Sequence, residues 1–452
     1  MTTGVLHRRI GWALAVMAGL MLVAWPAAAA DAAAAAVSTV TAADTVWVLL
    51  GAALVMLMTP GLAFFYGGLV RKKNILPILM QCFMVMCLIS LQWVFVGYTL
   101  SFGPDLAGII GKFDWMGLHG VGMEASVYAP KIPHTAFVIF QMMFAVITPG
   151  LIIGAFAERM RFPAFCMFCL LWATLVYDPV AHWVWGQGGF LGLMSSSGTG
   201  AADFAGGIVV HINAGMAALA AAVFLGRRHG HPHTISPPHN LPLAILGAGL
   251  LWFGWFGFNA GSALACNGVA VNAFLCTHVA GAVAGLTWCI LDWVKFGKPT
   301  TLGMITGAVA GLAAVTPGAG FVAMSGAIWI GMIAAIVCWM CVVYVKSRFE
   351  YDDSLDAFGV HGVGGIWGSL AVGIWANKAV NPDGVNGLLY GSPIQLWFQF
   401  KAAAIVMVYS FVVSWILFKF VDAVVTLRVS HDEENIGLDL TQHREAGYTV
   451  LD

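Results

Sequence analysis

Charged residues are scarce in this chain of 452 residues. Asp, Glu, Lys and Arg make up 9% of it, whereas a soluble domain carries about 25%. Apolar residues make up 60%, and almost every stretch of about 20 residues between charged clusters could cross a hydrocarbon core about 30 Å thick. An ordinary soluble protein is therefore excluded. The net charge of −1 gives no reason to expect a nucleic-acid partner.

The signatures of an enzyme or a metalloprotein are also missing. No paired carboxylates or nucleophile constellation stands out, so we expect neither catalysis nor a cofactor. Two C-x-x-C pairs, at 166–169 and 338–341, lie inside apolar segments without a second pair nearby, and we interpret the nine cysteines as packing residues. The histidine-rich string at 229–239 is full of glycine and proline, and we interpret it as a solvated connector rather than a metal site. An aquaporin-like channel is disfavoured because Asn381-Pro382 is the only Asn-Pro pair.

The first thirty residues have the pattern of a secretory signal peptide. Arg8 and Arg9 precede an apolar run, and small residues around Ala28 and Ala30 follow it. We predict a cleaved signal peptide over residues 1–30, with an uncleaved anchor as the alternative. Either case places the start of the next segment outside the cell.

Eleven further apolar segments predict an all-α polytopic membrane domain over residues 45–427, followed by a tail over 428–452. Lys and Arg concentrate in alternate loops, such as Arg71-Lys72-Lys73 and Arg227-Arg228, which the positive-inside rule assigns to the cytoplasm. The N-terminus is then outside, the acidic tail is cytoplasmic, and the location is the plasma (inner) membrane. We expect the tail to be solvated. The predicted spans are 45–67, 76–101, 134–157, 163–184, 204–226, 242–264, 271–294, 301–318, 320–346, 357–377 and 394–427.

Two segments echo each other within this pattern. In "DFAGGIVVHINAG" Asp203 precedes His211, and in "DAFGVHGVGG" Asp356 precedes His361. The predicted topology makes the first helix run inward and the second run outward. Spans one to five and six to ten are therefore predicted to form an inverted 5+5 repeat, with a long last helix outside it.

The two histidines of this echo are predicted to approach mid-membrane from opposite sides. His211 lies roughly 12 Å along its helix from the outer end, and His361 lies roughly 8 to 13 Å from the inner end. An ionisable residue inside a bilayer is costly and is a functional-site hypothesis by default. A low dielectric favours the neutral imidazole, which can bind a small neutral molecule or relay a proton. A third histidine, His278, lacks a partner in the repeat and is assigned to packing and hydrogen bonding.

Six long motifs give the chain a strong resemblance to the ammonium transporters of the Amt/MEP/Rh family, specifically the bacterial Amt type. The resemblance covers essentially the whole mature chain. It implies a homotrimer of eleven-helix protomers, each with its own narrow hydrophobic pore. The motifs are "PGLAFFYGGLVRKKN", "GAFAERMRF", "DPVAHWVWG", "DFAGGIVVHINAG", "GWFGFNAGSA" and "DAFGVHGVGG".

The resemblance also implies roles for individual residues. The outer substrate-binding site of the family corresponds to Phe140, Trp185 and Ser262, and an aromatic face with a hydroxyl oxygen suits a small cation. Its two stacked gate rings correspond to Phe144 and Phe258, and its twin pore histidines to His211 and His361. Asp203 corresponds to a structural aspartate, which agrees with its position at a helix start. Val146 departs from the small or sulfur-containing residue of some members, at a position expected to line the route below the gate.

The resemblance implies that the protein transports ammonium. NH4+ would bind at the outer aromatic site and lose its proton, and NH3, accompanied by a proton, would cross the apolar bore along the two histidines. Methylammonium is a further expected substrate. The tail resembles the segment that couples protomers and meets a PII-type (GlnK-like) regulator. The alternative is an ammonium sensor or transceptor with little net transport, although about 25 tail residues leave no room for an output domain.

Overall fold

In the part of the chain that the structure describes, eleven apolar helices, α1 to α11, form the body of the molecule. The computed structural model describes residues 39–231 and 237–448, so the predicted signal peptide at 1–30 lies outside the described residues. Glycine and alanine are frequent on the buried sides of the helices. The helices are α1 Ala42–Leu69, α2 Lys72–Phe102, α3 His134–Phe156, α4 Phe162–Trp185, α5 Gly207–Leu225, α6 Leu241–Gly261, α7 Gly268–Phe296, α8 Thr301–Val315, α9 Met324–Phe349, α10 Phe358–Trp375 and α11 Ile394–Val425.

Within the described part of the chain, ten of these helices are long and apolar enough to cross a membrane. The remaining one, α8, has 15 residues and ends at Val315, three residues before the predicted end. Pro317 explains the early end, because proline lacks the N–H that would continue the helix. The protein is thus a multi-pass α-helical membrane protein, and most predicted spans agree with the helices to within a few residues.

Glycines bring the helices into close contact. A Cβ atom on Gly247 of α6 would lie 2.1 Å from the backbone nitrogen of Phe65 on α1, and one on Gly257 would lie 2.5 Å from the Cβ of Leu54. Lipid tails are as apolar as the helix surfaces, so the hydrophobic effect does not drive membrane helices together. Close packing of small residues stabilises their association instead.

The two ends of the helix bundle differ. At the first, which we call the hairpin end, two short antiparallel pairs join α2 to α3: β1 Asp105–Leu106 with β2 Ile110–Gly111, and β3 Ala125–Ser126 with β4 Ala129–Pro133. At the second, which we call the tail end, the loops around 70–74, 157–161, 226–231 and 237–240 meet residues 428–448. The loop around 350–356 lies at the same end and is paired with Arg159 and Arg228.

The tail is folded against its end of the bundle, so the expectation of a solvated tail was wrong. A short helix, α12 His431–Ile436, begins with a capping box between Ser430 and Glu433. The Glu434 side chain is buried and accepts a hydrogen bond from the His229 backbone N–H at 2.7 Å. The two described ends of the histidine-rich string, at His229 and His239, are therefore bonded to the tail.

Buried ion pairs lie beneath the tail. Arg228 binds both Glu158 (2.8 Å) and Asp352 (2.9 Å), and Arg159 pairs with Asp352 at 3.3 Å. Burial opposes the charge on Asp352, but hydrogen bonds from Arg228 and the charge of Arg159 hold its pKa below the usual range. The loops of the tail end are thus held together by charges that stay ionised at neutral pH.

Candidate functional site

The two histidines of the sequence echo stack in the middle of the bundle. The centroids of their rings lie 5.2 Å apart with the planes 12° from parallel, and both residues are buried. His211 lies in the π-helical turn Gly207–Ile212 that opens α5, and His361 lies in the π-helical turn Phe358–Gly362 that opens α10. Such turns are rare in proteins as a whole, and where they occur they are often at functional sites. The structure therefore places the two imidazoles within the few ångströms expected from the topology.

Two glycines allow the helices to cross at the histidines. Gly215 lies four residues after His211, and a Cβ atom there would be 2.2 Å from the Cα of Gly362. Gly365 lies four residues after His361, and its Cβ would be 2.8 Å from the Cβ of His211. The contacts are reciprocal and run in opposite directions along the two helices, as an inverted repeat requires.

A buried carboxylate caps each of these helices. Asp203 accepts four backbone N–H groups, from Gly206 and Gly207 on one oxygen and from Ile208 and Val209 on the other, at 2.7 to 3.1 Å. Burial raises the pKa of Asp203, and the four N–H groups oppose that rise. The carboxylate thus satisfies donors that every helix start leaves free.

The counterpart of Asp203 is Asp353, and the expected pairing with Asp356 was wrong. Asp353 accepts the N–H groups of Ala357 (3.1 Å) and Phe358 (2.8 Å), whereas Asp356 binds Lys346 at 2.6 Å. Burial raises the pKa of Asp353. Spacing in the sequence could have revealed it, because Asp353 precedes His361 by eight residues, as Asp203 precedes His211.

Replacing Asp203 with alanine is expected to destabilise the fold by at least about 2 kcal/mol, because four buried N–H groups lose their acceptor. Thermal unfolding of the purified protein measures this. Asp383→Ala is the matched control, since Asp383 is exposed and its carboxylate binds no described residue. Equal unfolding temperatures for the two variants would contradict the capping role.

The stacked histidines leave unpaired nitrogens inside the protein. Both ring nitrogens of His211 and the Nδ1 of His361 are enclosed and have no hydrogen-bond partner among the described residues. A small cavity of about 10 Å³ adjoins them, with walls that include Leu62, Trp255 and Phe258. That volume holds roughly one water-sized molecule. An unpaired buried polar group costs about 1–3 kcal/mol, so the site is suited to a small molecule that supplies the missing partner.

Two phenyl rings separate this cavity from the hairpin end. Phe144 and Phe258 are buried, with ring centroids 4.3 Å apart and planes tilted by 35°. Phe258 also lies against His211, at 6.0 Å between centroids. The two rings, the histidines and the small cavity therefore form one column along the bundle.

A second cavity of about 150 Å³ lies above the phenyl rings at the hairpin end. Trp185 and Ser262 line it, as do Asp203 and Phe144. The Trp185 Nε1–H donates to the backbone oxygen of Asp203 at 2.8 Å, which fixes the indole plane. The Ser262 hydroxyl donates to the Phe258 carbonyl at 2.8 Å, so its lone pairs are left to accept. An aromatic face beside an accepting oxygen is suited to a small cation.

Phe140, the remaining member of the predicted outer site, does not line this cavity. Its ring packs against Phe144, at 5.0 Å between centroids, and a Cβ atom on Gly261 would lie 2.8 Å from it. Val146 likewise is absent from the wall of the small cavity, where Ile147 and Leu151 represent α3. Val146 is two residues beyond Phe144, so a helix turns it to nearly the opposite side. The expectation that Val146 lines the route was wrong.

The cavity at the hairpin end has further walls that the sequence interpretation missed. Phe137 and Gln141 line it, and Phe137 stacks on Tyr128 with ring centroids 5.2 Å apart. Phe137, Gln141 and Phe144 are spaced by four and three residues, which is the spacing of one helix face. That periodicity could have indicated the wall, whereas Tyr128 lies in a loop without such a signal.

A third cavity, of about 160 Å³, opens below the histidines at the tail end. His361 borders both this cavity and the small one, and Tyr66, Thr306 and Asp356 are also on the wall. The order along the bundle is thus cavity, phenyl pair, histidine pair, cavity. Among the described residues no group of three or more His, Cys, Asp or Glu could hold a metal ion.

Comparison with known proteins finds similarity over most of the chain. A model of the Ammonium Transporter Family matches residues 46–448. The "Ammonium transporter" of Bacillus subtilis (strain 168) is 50% identical over 405 residues, which are 90% of this chain and 98% of that protein. The crystal structure of Saccharomyces cerevisiae Mep2 has a TM-score of 0.82 and 34% identity, covering 87% of this chain and 89% of that one. A structure named "Sensor Amt Protein" has a TM-score of 0.80 and 30% identity, covering 89% of this chain and 98% of that one.

Proposed function

Because the chain belongs to the ammonium transporter family, we propose that each protomer carries ammonium nitrogen across the membrane through the column described above. The observation that carries this proposal is the pair of stacked histidines with unpaired nitrogens, enclosed between two cavities. We propose transport and no enzymatic reaction, with 45–427 as the transport domain and 428–452 as a regulatory tail.

Ammonium binds first in the cavity at the hairpin end. The Trp185 ring attracts the cation, and the Ser262 oxygen accepts one of its N–H groups. Cation–π attraction contributes about 0.5 to 2 kcal/mol, more as water is excluded. We assign Phe140 to this site through Phe144, whose ring it supports.

Deprotonation precedes passage because the bore below is apolar. An ion in such a bore pays a large desolvation cost, whereas neutral ammonia does not. Ammonia passes the Phe144 and Phe258 rings and exchanges hydrogen bonds with His211 and His361. A potassium ion has no proton to lose and is rejected. The proton follows along the same histidine pair, since a neutral imidazole has one donor and one acceptor nitrogen.

The tail end is assigned to the cytoplasm. Its loops carry most of the Lys and Arg residues outside the apolar helices, as the positive-inside rule requires. The N-terminus is then outside, and residues 1–30 are the signal peptide of an inner-membrane protein.

A homotrimer is the assembly that the exposed surface favours. Large apolar residues are exposed on α6 and α7, among them Phe253, Val271 and Leu275. Between them His278 packs on Trp252, at 5.5 Å between ring centroids, and makes no hydrogen bond to a described residue. A neighbouring protomer would supply a partner for the exposed His278 ring, so we propose a trimer contact here.

Regulation is assigned to the tail end. The buried Glu434 and the ion pairs around Arg228 couple the tail to four loops near the third cavity. A PII-type (GlnK-like) protein that binds this face would act on the exit of the column.

A sensor with little net transport is the second candidate function, because the chain is similar to a structure named "Sensor Amt Protein". Expression in cells that lack other ammonium uptake separates the two functions. A transporter restores growth at low ammonium and accumulates methylammonium. A sensor does neither, and that result would overturn the proposal.

Trp185→Leu is expected to raise the half-saturating concentration of methylammonium roughly 2- to 30-fold, because the cation–π attraction is lost. Initial uptake rates over a concentration series measure the effect. Trp397→Leu, at an exposed tryptophan on α11, is the control and leaves the value unchanged. An unchanged value in Trp185→Leu would remove this residue from recruitment.

Leu275→Arg is expected to shift the purified protein from trimers to monomers, because a charge is costly in an apolar contact between protomers. Native mass measurement in mild detergent reports the subunit number. Val408→Arg on the exposed face of α11 carries the same insertion cost and should remain trimeric. Dissociation of both variants, or of neither, would refute the assigned contact.

A further inference from the structure

An apolar groove at the tail end lies away from the transport column. It has a volume of about 480 Å³ and lies where α5 and α9 end and α10 begins. Val223, Val345 and Phe349 of its wall are exposed on membrane-spanning helices. None of the residues of this wall borders the three cavities of the column.

The exposed rim of the groove carries one charge of each sign, while Asp352, which also lines the groove, is buried and paired with Arg159 and Arg228. Arg227 lies two residues after the end of α5, and Glu350 follows directly after the end of α9. Nε of Arg227 donates to the Glu350 carbonyl at 2.9 Å, and Nη2 donates to its carboxylate at 2.5 Å. Nη1 has no partner among the described residues, and about half of each side chain is exposed.

We propose that this groove binds a zwitterionic, amine-bearing phospholipid of the phosphoethanolamine class. The acyl chain lies along Val223, Val345 and Phe349. The phosphate is bound by Arg227, and the ammonium group of the headgroup is bound by Glu350.

The depth of the groove supports a lipid as its occupant. Both walls belong to helices that are long and apolar enough to cross a membrane, and both reach the ends of those helices, at Leu225 and Phe349. The apolar wall is therefore inside the acyl-chain region and the charged rim is among the headgroups. Arginine side chains at helix ends commonly reach to that level.

The charge pattern of the rim selects among lipids. A headgroup with only a phosphate would face Glu350 as well as Arg227, whereas phosphoethanolamine presents a charge to each. Insertion of the headgroup between the two side chains costs little, because an exposed ion pair contributes only about 0–1 kcal/mol. A trimethylated choline headgroup has no N–H to donate to Glu350. Phosphatidylethanolamine should thus bind better than phosphatidylglycerol or phosphatidylcholine.

Native mass spectrometry of the purified full-length protein tests the proposal, with each of the three lipids added at equal concentration. Wild type is expected to retain phosphatidylethanolamine most strongly. The double variant Arg227→Gln, Glu350→Gln should lose roughly tenfold in that affinity, on the scale of a charge-assisted hydrogen bond. Arg348→Gln, at a neighbouring exposed arginine outside the groove, is the control and should bind like wild type.

A second variant tests the apolar part independently of the rim. Val223→Trp fills the groove and should reduce retention of all three lipids without changing the number of subunits. Equal or stronger binding of phosphatidylglycerol, or unchanged affinity in the double variant, would overturn the proposal. A changed subunit number in Val223→Trp would show that a second copy of the chain covers the groove instead. Methylammonium uptake measured in parallel keeps these outcomes separate from failure of transport.

Discussion

Replacing both His211 and His361 with alanine is expected to lower the initial rate of methylammonium uptake roughly ten- to a hundredfold. Their unpaired nitrogens are the hydrogen-bond partners available along the small cavity, and each such bond contributes about 0.5–1.5 kcal/mol. The loss of two hydrogen bonds in an apolar bore slows the passage of ammonia and leaves the binding of ammonium in the outer cavity unchanged. The half-saturating concentration should therefore change less than the maximal rate.

His278→Ala is the control for this experiment, because His278 is also within a membrane-spanning helix but lies outside the column. Its uptake rate should stay close to wild type. Unfolding temperatures of both variants show whether the fold is retained. Full uptake in the double variant would remove the histidines from the route.

Gly215→Ala is expected to abolish uptake and to lower the unfolding temperature. The new Cβ atom would lie 2.2 Å from the Cα and 2.3 Å from the nitrogen of Gly362, and a backbone cannot rotate away as a side chain can. The helices α5 and α10 must therefore separate, which moves His211 relative to His361. Overpacking of a tight contact costs about 1–3 kcal/mol, and here the backbone contact places the expected cost at the upper end of that range or above.

Gly249→Ala is the matched control, since Gly249 is also inside a helix but nothing lies within 4 Å of its Cβ position. Alanine there should leave uptake unchanged and should not lower stability, because glycine is the poorer helix former. Normal uptake and stability in Gly215→Ala would contradict the close crossing of α5 and α10.

The membrane spans could be predicted because an apolar run of sufficient length has few other stable forms. The predicted span 134–157 and the helix His134–Phe156, for example, differ by one residue. The meeting of His211 and His361 followed from topology, since helices that enter from opposite faces must overlap at mid-membrane. The end of α8 at Val315 was missed because apolarity continues past Pro317.

Local geometry accounts for what the sequence interpretation missed. The π-helical turns around both histidines depend on packing against a second helix, which no periodicity in one segment encodes. Asp353 was passed over for Asp356, which is closer to His361, although only Asp353 reaches the helix N–H groups. The tail was expected to be solvated because its composition is polar, yet Glu434 is buried and pairs with Arg71 on a distant loop as well as with Arg428 of the tail itself. Residues far apart in sequence decide such contacts.

The central claim is that nitrogen passes through the histidine column as a neutral molecule with a proton beside it. The most direct measurement is the transient current of the purified protein in proteoliposomes after a jump in ammonium concentration. Wild type is predicted to give a saturable current with ammonium and none with an equal jump of potassium, and the His211→Ala, His361→Ala variant should give a strongly reduced current. Equal currents for both ions, or a full ammonium current in the double variant, would contradict the account.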